Sequence, residues 1–151
     1  MKLRIEIDPS GEEEIIIKAN GITDKIRRLQ ATIDREISGG EEIAVRKEGE
    51  ECYLPFSELL FFETEENRVF AHTKDECFAC PLRLNELEML LPRTFTRASK
   101  SCIVNTAHIR SISRTPTGVS IATFAKTDKK VFISRMYYKI VREIIEETRL
   151  K

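Results

Sequence analysis

Apolar and polar positions change rhythm along this chain, and each rhythm predicts a different element. Leu3, Ile5 and Ile7 alternate with polar residues across positions 2–8, the two-residue period of a half-buried strand. Pro9, Ser10 and Gly11 turn the chain, and the run Ile15-Ile16-Ile17 predicts a second strand over 14–19. Ile22, Ile26, Leu29, Ile33 and Ile37 then recur every three or four residues, one stripe of a helix. Thr23 is placed to cap that helix, Asp24 sits in its first turn, and Ser38-Gly39-Gly40 is expected to end it. Such a stripe packs on a neighbouring sheet or pairs two protomers, and it is too short for a coiled coil.

From Glu42 onward the period shortens to two. Strands are expected at 42–46, 52–54, 59–63, 68–73, 77–82, 95–100, 103–105, 109–113, 119–125 and 130–133. Residues 55–58 read as one helical turn. Asn85 is placed to cap a short helix with Leu87, Leu90 and Leu91 inward, and Pro92 stops it. A last helix runs over 134–148 with Tyr137, Ile140, Val141, Ile144 and Ile145 on one broad face. Many short strands about ten residues apart predict a mainly β fold of antiparallel sheets with short helices. A β-β-α extension over 1–40 precedes a unit over 41–151.

The chain of 151 residues holds one domain or a domain with an appendage, and 41% hydrophobic residues suffice for a core. No run approaches the roughly 18 apolar residues of a membrane span, and the N-terminus lacks the apolar stretch of a signal peptide. The expected location is cytoplasmic, where Cys52, Cys77, Cys80 and Cys102 are free thiols. Cys77 and Cys80 form a CxxC, but a structural zinc site wants a second pair, and in a strand the two point to opposite faces. His72 and His108 are isolated, and there is no glycine-rich phosphate loop. No metal, cofactor or catalytic residue is expected.

Charge changes this picture more than composition does. The chain is formally neutral, yet residues 1–66 carry a net −8 and residues 67–151 a net +8. Residues 93–142 hold six Arg and five Lys against Asp128 alone. A cationic surface of this density suits a polyanion, since each neutralised phosphate releases counterions. Two places concentrate donors. Arg97, Ser99, Lys100 and Ser101 form a polar knot between Phe95 and the strand Ile103-Val104. Ser134 stands where it can cap the last helix, which puts Arg135 in the first turn, where the dipole disfavours a cation by up to about 1 kcal/mol. A helix N-terminus also offers free amides to phosphate. Ser134 and Arg135 together suit a nucleic-acid backbone and a base edge.

The segments YLPFSELLFFET, NRVFAHTK, LRLNELEMLLPRTFTRASKSCIVNTAHIRSI and KVFISRMYYKIV, in this order, resemble a LytTR-type DNA-binding domain over about residues 42–147. The resemblance implies an elongated set of antiparallel sheets that inserts loops, not a recognition helix, into successive major grooves of double-stranded DNA. It implies base contacts by Asn67, Lys100 and Arg135, and phosphate contacts by Arg97, Ser99, Ser101 and Lys126, with Ser134 beside them. Most members join this domain to a phospho-receiver domain. Some forty residues precede it here, and they resemble the β-β-α extension of stand-alone members, which implies a homodimer on paired sites and control by an inhibitory membrane protein. The expectation is a sequence-specific transcription regulator. The alternative is a protein–protein module whose basic face docks an acidic partner.

Overall fold

The computed structural model describes residues 1–37 and 42–149. Helix α1 spans Asp24–Ile37, and the Thr23 hydroxyl accepts from the Ile26 amide at 3.2 Å, as a cap should. Ile26, Leu29 and Ile33 are half-buried. The expected helix stop at Ser38-Gly39-Gly40 lies outside the described residues.

The two strands expected before α1 do not form. Leu3, Ile5 and Ile7 stand 93%, 82% and 88% exposed, and Ile15 and Ile16 are exposed with them. Alternation makes a strand possible, but a strand needs an edge to pair with and a face to bury. Neither run pairs with the other or with the sheets below.

The remainder is mainly β and antiparallel throughout. Strands β1 (Glu42–Lys47), β2 (Glu50–Pro55), β3 (Phe61–Glu65), β4 (Arg68–His72), β5 (Cys77–Cys80), β6 (Phe95–Ser99) and β7 (Cys102–Asn105) form a seven-stranded sheet in the order β2-β1-β5-β4-β3-β7-β6. Strands β8 (Ile109–Arg114), β9 (Ser120–Phe124) and β10 (Lys130–Ile133) form a second sheet in the order β10-β9-β8. Helix α2 (Leu84–Leu90) lies between β5 and β6, and α3 (Arg135–Arg149) follows β10. α2 starts one residue before the expected Asn85 cap; the Glu86 carboxylate instead accepts the Arg83 amide at 3.1 Å.

Adjacent residues of the central strands feed opposite cores, as the two-residue period requires. Phe62 and Ile103 join Ile43, Val45, Leu59, Phe78, Leu84 and Leu87 on the α2 side. Phe61, Cys102 and Val104 join Ile109, Phe124, Ile133 and Val141 on the side covered by the second sheet and α3. On α3 it is Tyr138, not the expected Ile140, that packs there; Ile140 is exposed. Asn105 ties the layers, donating to the Leu59 carbonyl at 2.9 Å while its own oxygen accepts from the Ala107 amide at 3.1 Å. Among the described residues, the Ser120 hydroxyl is the buried polar side-chain group without a partner. Ser120→Ala removes an unsatisfied hydroxyl and is expected to stabilise the fold by about 1 kcal/mol, read as a higher denaturant midpoint at unchanged slope.

Candidate nucleic-acid interface

Two two-residue turns close their hairpins through left-handed backbone. Glu48 and Gly49 join β1 to β2 at φ 51° and 80°, and Glu66 and Asn67 join β3 to β4 at φ 51° and 63°. Positive φ at both central residues is the twist-matched hairpin turn, which Asn and Gly accept readily. Glu66 accepts it less easily, at about 1–2 kcal/mol for an ordinary L-residue. The fold thus holds an exposed Glu66-Asn67 tip in a conformation that its first residue disfavours.

The strand registers show which turns share an edge. Glu65 pairs with Arg68 next to the tip, and Glu63 pairs with Cys102 at the start of β7. The Thr64 amide donates to the Ser101 carbonyl at 2.8 Å. The β6–β7 turn, Lys100-Ser101, therefore lies at the same end of the sheet as Asn67, two strand spacings away, or about 10 Å. The Ser134 amide donates to the Ala98 carbonyl at 2.9 Å, which brings the start of α3 to that end too. One edge of the protein thus gathers Asn67, Arg97, Ser99, Lys100, Ser101, Ser134 and Arg135.

Lys126 does not join them. Thr127 donates to the Lys74 carbonyl at 2.9 Å, and Lys129 to the Thr73 carbonyl at 2.8 Å. These contacts hold the β9–β10 turn against the far end of β4, where β4 turns into β5. His72 is four steps along β4 from Arg68, so this end lies about 13 Å along the strand from the tip.

Each residue of the shared edge has a definite setting. Arg97 is ion-paired to Glu88 of α2, and its Nη1 donates to the Lys100 carbonyl at 2.6 Å. Its observed work is to hold the turn that presents Lys100. The Ser101 amide donates to the Ser99 hydroxyl at 3.3 Å, which tightens the same turn across the register shift in β6. Ser134 precedes α3, and its carbonyl accepts from the Tyr137 and Tyr138 amides at 3.1 Å each. Arg135 is the first residue of the helix and is exposed. Its side chain lies across Gly118 in the β8–β9 hairpin, so close that a Cβ on Gly118 would sit 2.5 Å from Arg135 Cδ. Gly118 thus makes room for Arg135, a duty visible only in the fold.

The basic stretch is thinner in space than along the chain. Arg93 pairs with Glu147 and Arg142 with Glu146, Arg114 lies 4.3 Å from the centre of the Tyr138 ring, and Arg97 is bound as above. Lys100, Lys126 and Arg135 make no ion pair among the described residues.

Lys129 belongs to a clasp at the far end. Its ammonium donates to the Glu76 carbonyl at 2.6 Å and stands 3.2 Å from His72 Nδ1, while His72 Nε2 meets Glu63 at 2.8 Å. Burial holds the imidazole below its ordinary value, against the upward pull of Glu63 and with the downward push of Lys129. The folded protein therefore binds fewer protons at His72 than the unfolded chain. This contribution to stability is complete above pH 6.5 and is lost as pH falls through the lower folded value. Stability should drop as pH falls below 6.5, and His72→Gln should flatten that drop; a parent that gains stability as pH falls below 6.5 contradicts the assignment. Cys77 and Cys80 do point to opposite sides: Cys77 is exposed and Cys80 is buried in the core under α2.

Comparison with known proteins adds to this geometry. Residues 49–146 match the family model of the LytTr DNA-binding domain. Uncharacterised HTH-type transcriptional regulators of Staphylococcus aureus are similar, that of strain NCTC 8325 at 33% identity and that of strain MRSA252 at 32%. Each alignment spans 128 residues, 85% of this chain and 77% of the relative. Strands separate α2 from α3 here, so those helices do not form a helix-turn-helix pair. A solved LytTr DNA-binding domain from Bacillus cereus superposes with a TM-score of 0.65 at 22% identity, covering 71% of this chain and 98% of that one. No helix among the described residues is long and apolar enough to cross a membrane.

Proposed function

The chain belongs to the LytTr DNA-binding domain family, and from that premise we propose a sequence-specific transcription regulator that reads duplex DNA with the edge carrying Asn67, Lys100 and Arg135. The observation that carries this reading is the gathering of two turns and a helix start, distant in sequence, at one end of the fold. Asn offers a bidentate pair to adenine and Arg a planar fork to guanine, while Lys reaches the guanine acceptors as a point charge. Ser99, Ser101 and Ser134 supply hydroxyls for phosphate, and Arg97 joins them once it leaves Glu88. Lys126 would reach the backbone only of a duplex that bends toward the far end. The proposed work is binding without catalysis.

We propose further that residues 1–40 form a separate extension serving a homodimer on paired sites or an inhibitory membrane protein. The exposed row Leu3, Ile5, Ile7 supports this, because an unpaired alternating run is a surface for strand addition.

Salt dependence tests the main reading. Binding to duplex DNA should weaken linearly in log–log form with rising salt, and Lys100→Ala should lower the slope by about 1. Lys126→Ala should change it less. Binding that ignores salt, or that prefers an acidic protein to duplex DNA, favours the docking-module alternative.

A further inference from the structure

Beyond Asn67 the same edge continues into a groove of about 390 Å³ whose lining includes Asn67 itself, Arg46, Arg68 and Arg83. We propose that this groove binds the phosphodiester backbone of the duplex next to the base that Asn67 reaches, through those three arginines. The inference rests on the DNA-binding reading and extends it to a part of the chain that is acidic in linear sequence.

The three guanidiniums come from separate elements: Arg46 from β1, Arg68 from the first position of β4, and Arg83 from the segment entering α2. Arg46 and Ala79 are register partners, and Val69 and Cys80 pair one step closer to the tip, so the groove runs down the sheet end towards Asn67. All three arginines are exposed, and none forms an ion pair among the described residues. Glu51 faces Arg46 and Glu65 faces Arg68 across their strand pairs, yet both pairs stay open. Arg68 instead rests 5.4 Å from the Phe70 ring centre, which braces its guanidinium. Three like charges sharing one groove repel one another. An anion relieves that repulsion, and the planar fork of Arg matches phosphate oxygens two at a time. The groove opens beside a tip proposed to enter the DNA, which makes a polymeric phosphate a better fit than a free one.

The test compares the full chain with the Arg46→Gln/Arg68→Gln/Arg83→Gln protein on the same duplexes across a salt series. The expected result is a slope smaller by about 2–3 and affinity at least tenfold weaker for every sequence, with relative base preferences unchanged. Arg68→Gln alone should lower the slope by about 1, which keeps the test decisive if the triple variant fails to fold. Phosphates beside the Asn67 contact should lose protection in backbone footprinting. An unchanged slope and footprint overturn the groove assignment while leaving the DNA-binding reading intact. Calorimetric binding of inorganic pyrophosphate to the DNA-free parent but not to the variant, with equal DNA slopes, assigns the groove to a small anion and also overturns it. A parent that binds no duplex overturns both.

Discussion

Arg135→Lys should keep non-specific affinity and its salt slope but lose preference at one base position. Arg135 starts α3, where its charge opposes the helix dipole, so stability does not explain its presence. Guanine presents O6 and N7 to a bidentate guanidinium, and such a pair discriminates by about 1–3 kcal/mol. Lysine keeps the charge and loses the fork. Arg135→Ala should lose the same preference and also lower the slope, with the fold intact or slightly more stable. Competition among single-base variants of a bound site reads both outcomes. If Arg135→Lys discriminates like the parent at every position, Arg135 is a phosphate clamp and not a reader.

Gly118→Ala should imitate Arg135→Lys in specificity, whereas Gly49→Ala should not. Both glycines have positive φ, +88° and +80°, so alanine strains each backbone by a similar amount, about 1–2 kcal/mol. They differ in what the new methyl meets. At Gly49 nothing lies within 4 Å; at Gly118 the methyl would overlap Arg135 Cδ at 2.5 Å. A flexible side chain moves before backbone does, so Arg135 should swing from its place over the hairpin. The expected pair is similar melting temperatures with specificity lost only in Gly118→Ala, up to tenfold or more at one base position. Equal specificity in the two variants would mean that the hairpin does not position Arg135.

Local patterning carries most of the β scaffold, because each strand buries one face or both and its period of two or its apolar run follows from that. The Lys130–Ile133 strand stands where the pattern places it, and the Thr23 cap forms. The strands expected around Ile5 and Ile16 fail because pairing is a property of a partner edge, which alternation cannot supply. The candidate site is legible only in part. Asn67, Lys100 and Arg135 are marked by turn and helix-start chemistry together with the family resemblance, and the fold brings them to one edge. Lys126 looks the same in sequence, but Lys129 and Thr127 anchor its turn at the other end. Arg97 reads as a free donor, while Glu88, nine residues away and on another element, occupies it. Arg46, Arg68 and Arg83 lie in segments whose linear charge is acidic or mixed; register alone assembles them.

Selection of bound duplexes from a random pool decides whether this edge reads sequence. The full chain should enrich one motif, with informative positions in neighbouring major grooves, and Arg135→Lys should select the same motif with one position relaxed. Retention of duplexes without any enriched sequence, by a protein whose binding still falls with salt, would contradict that expectation: the edge would then hold the backbone and read nothing.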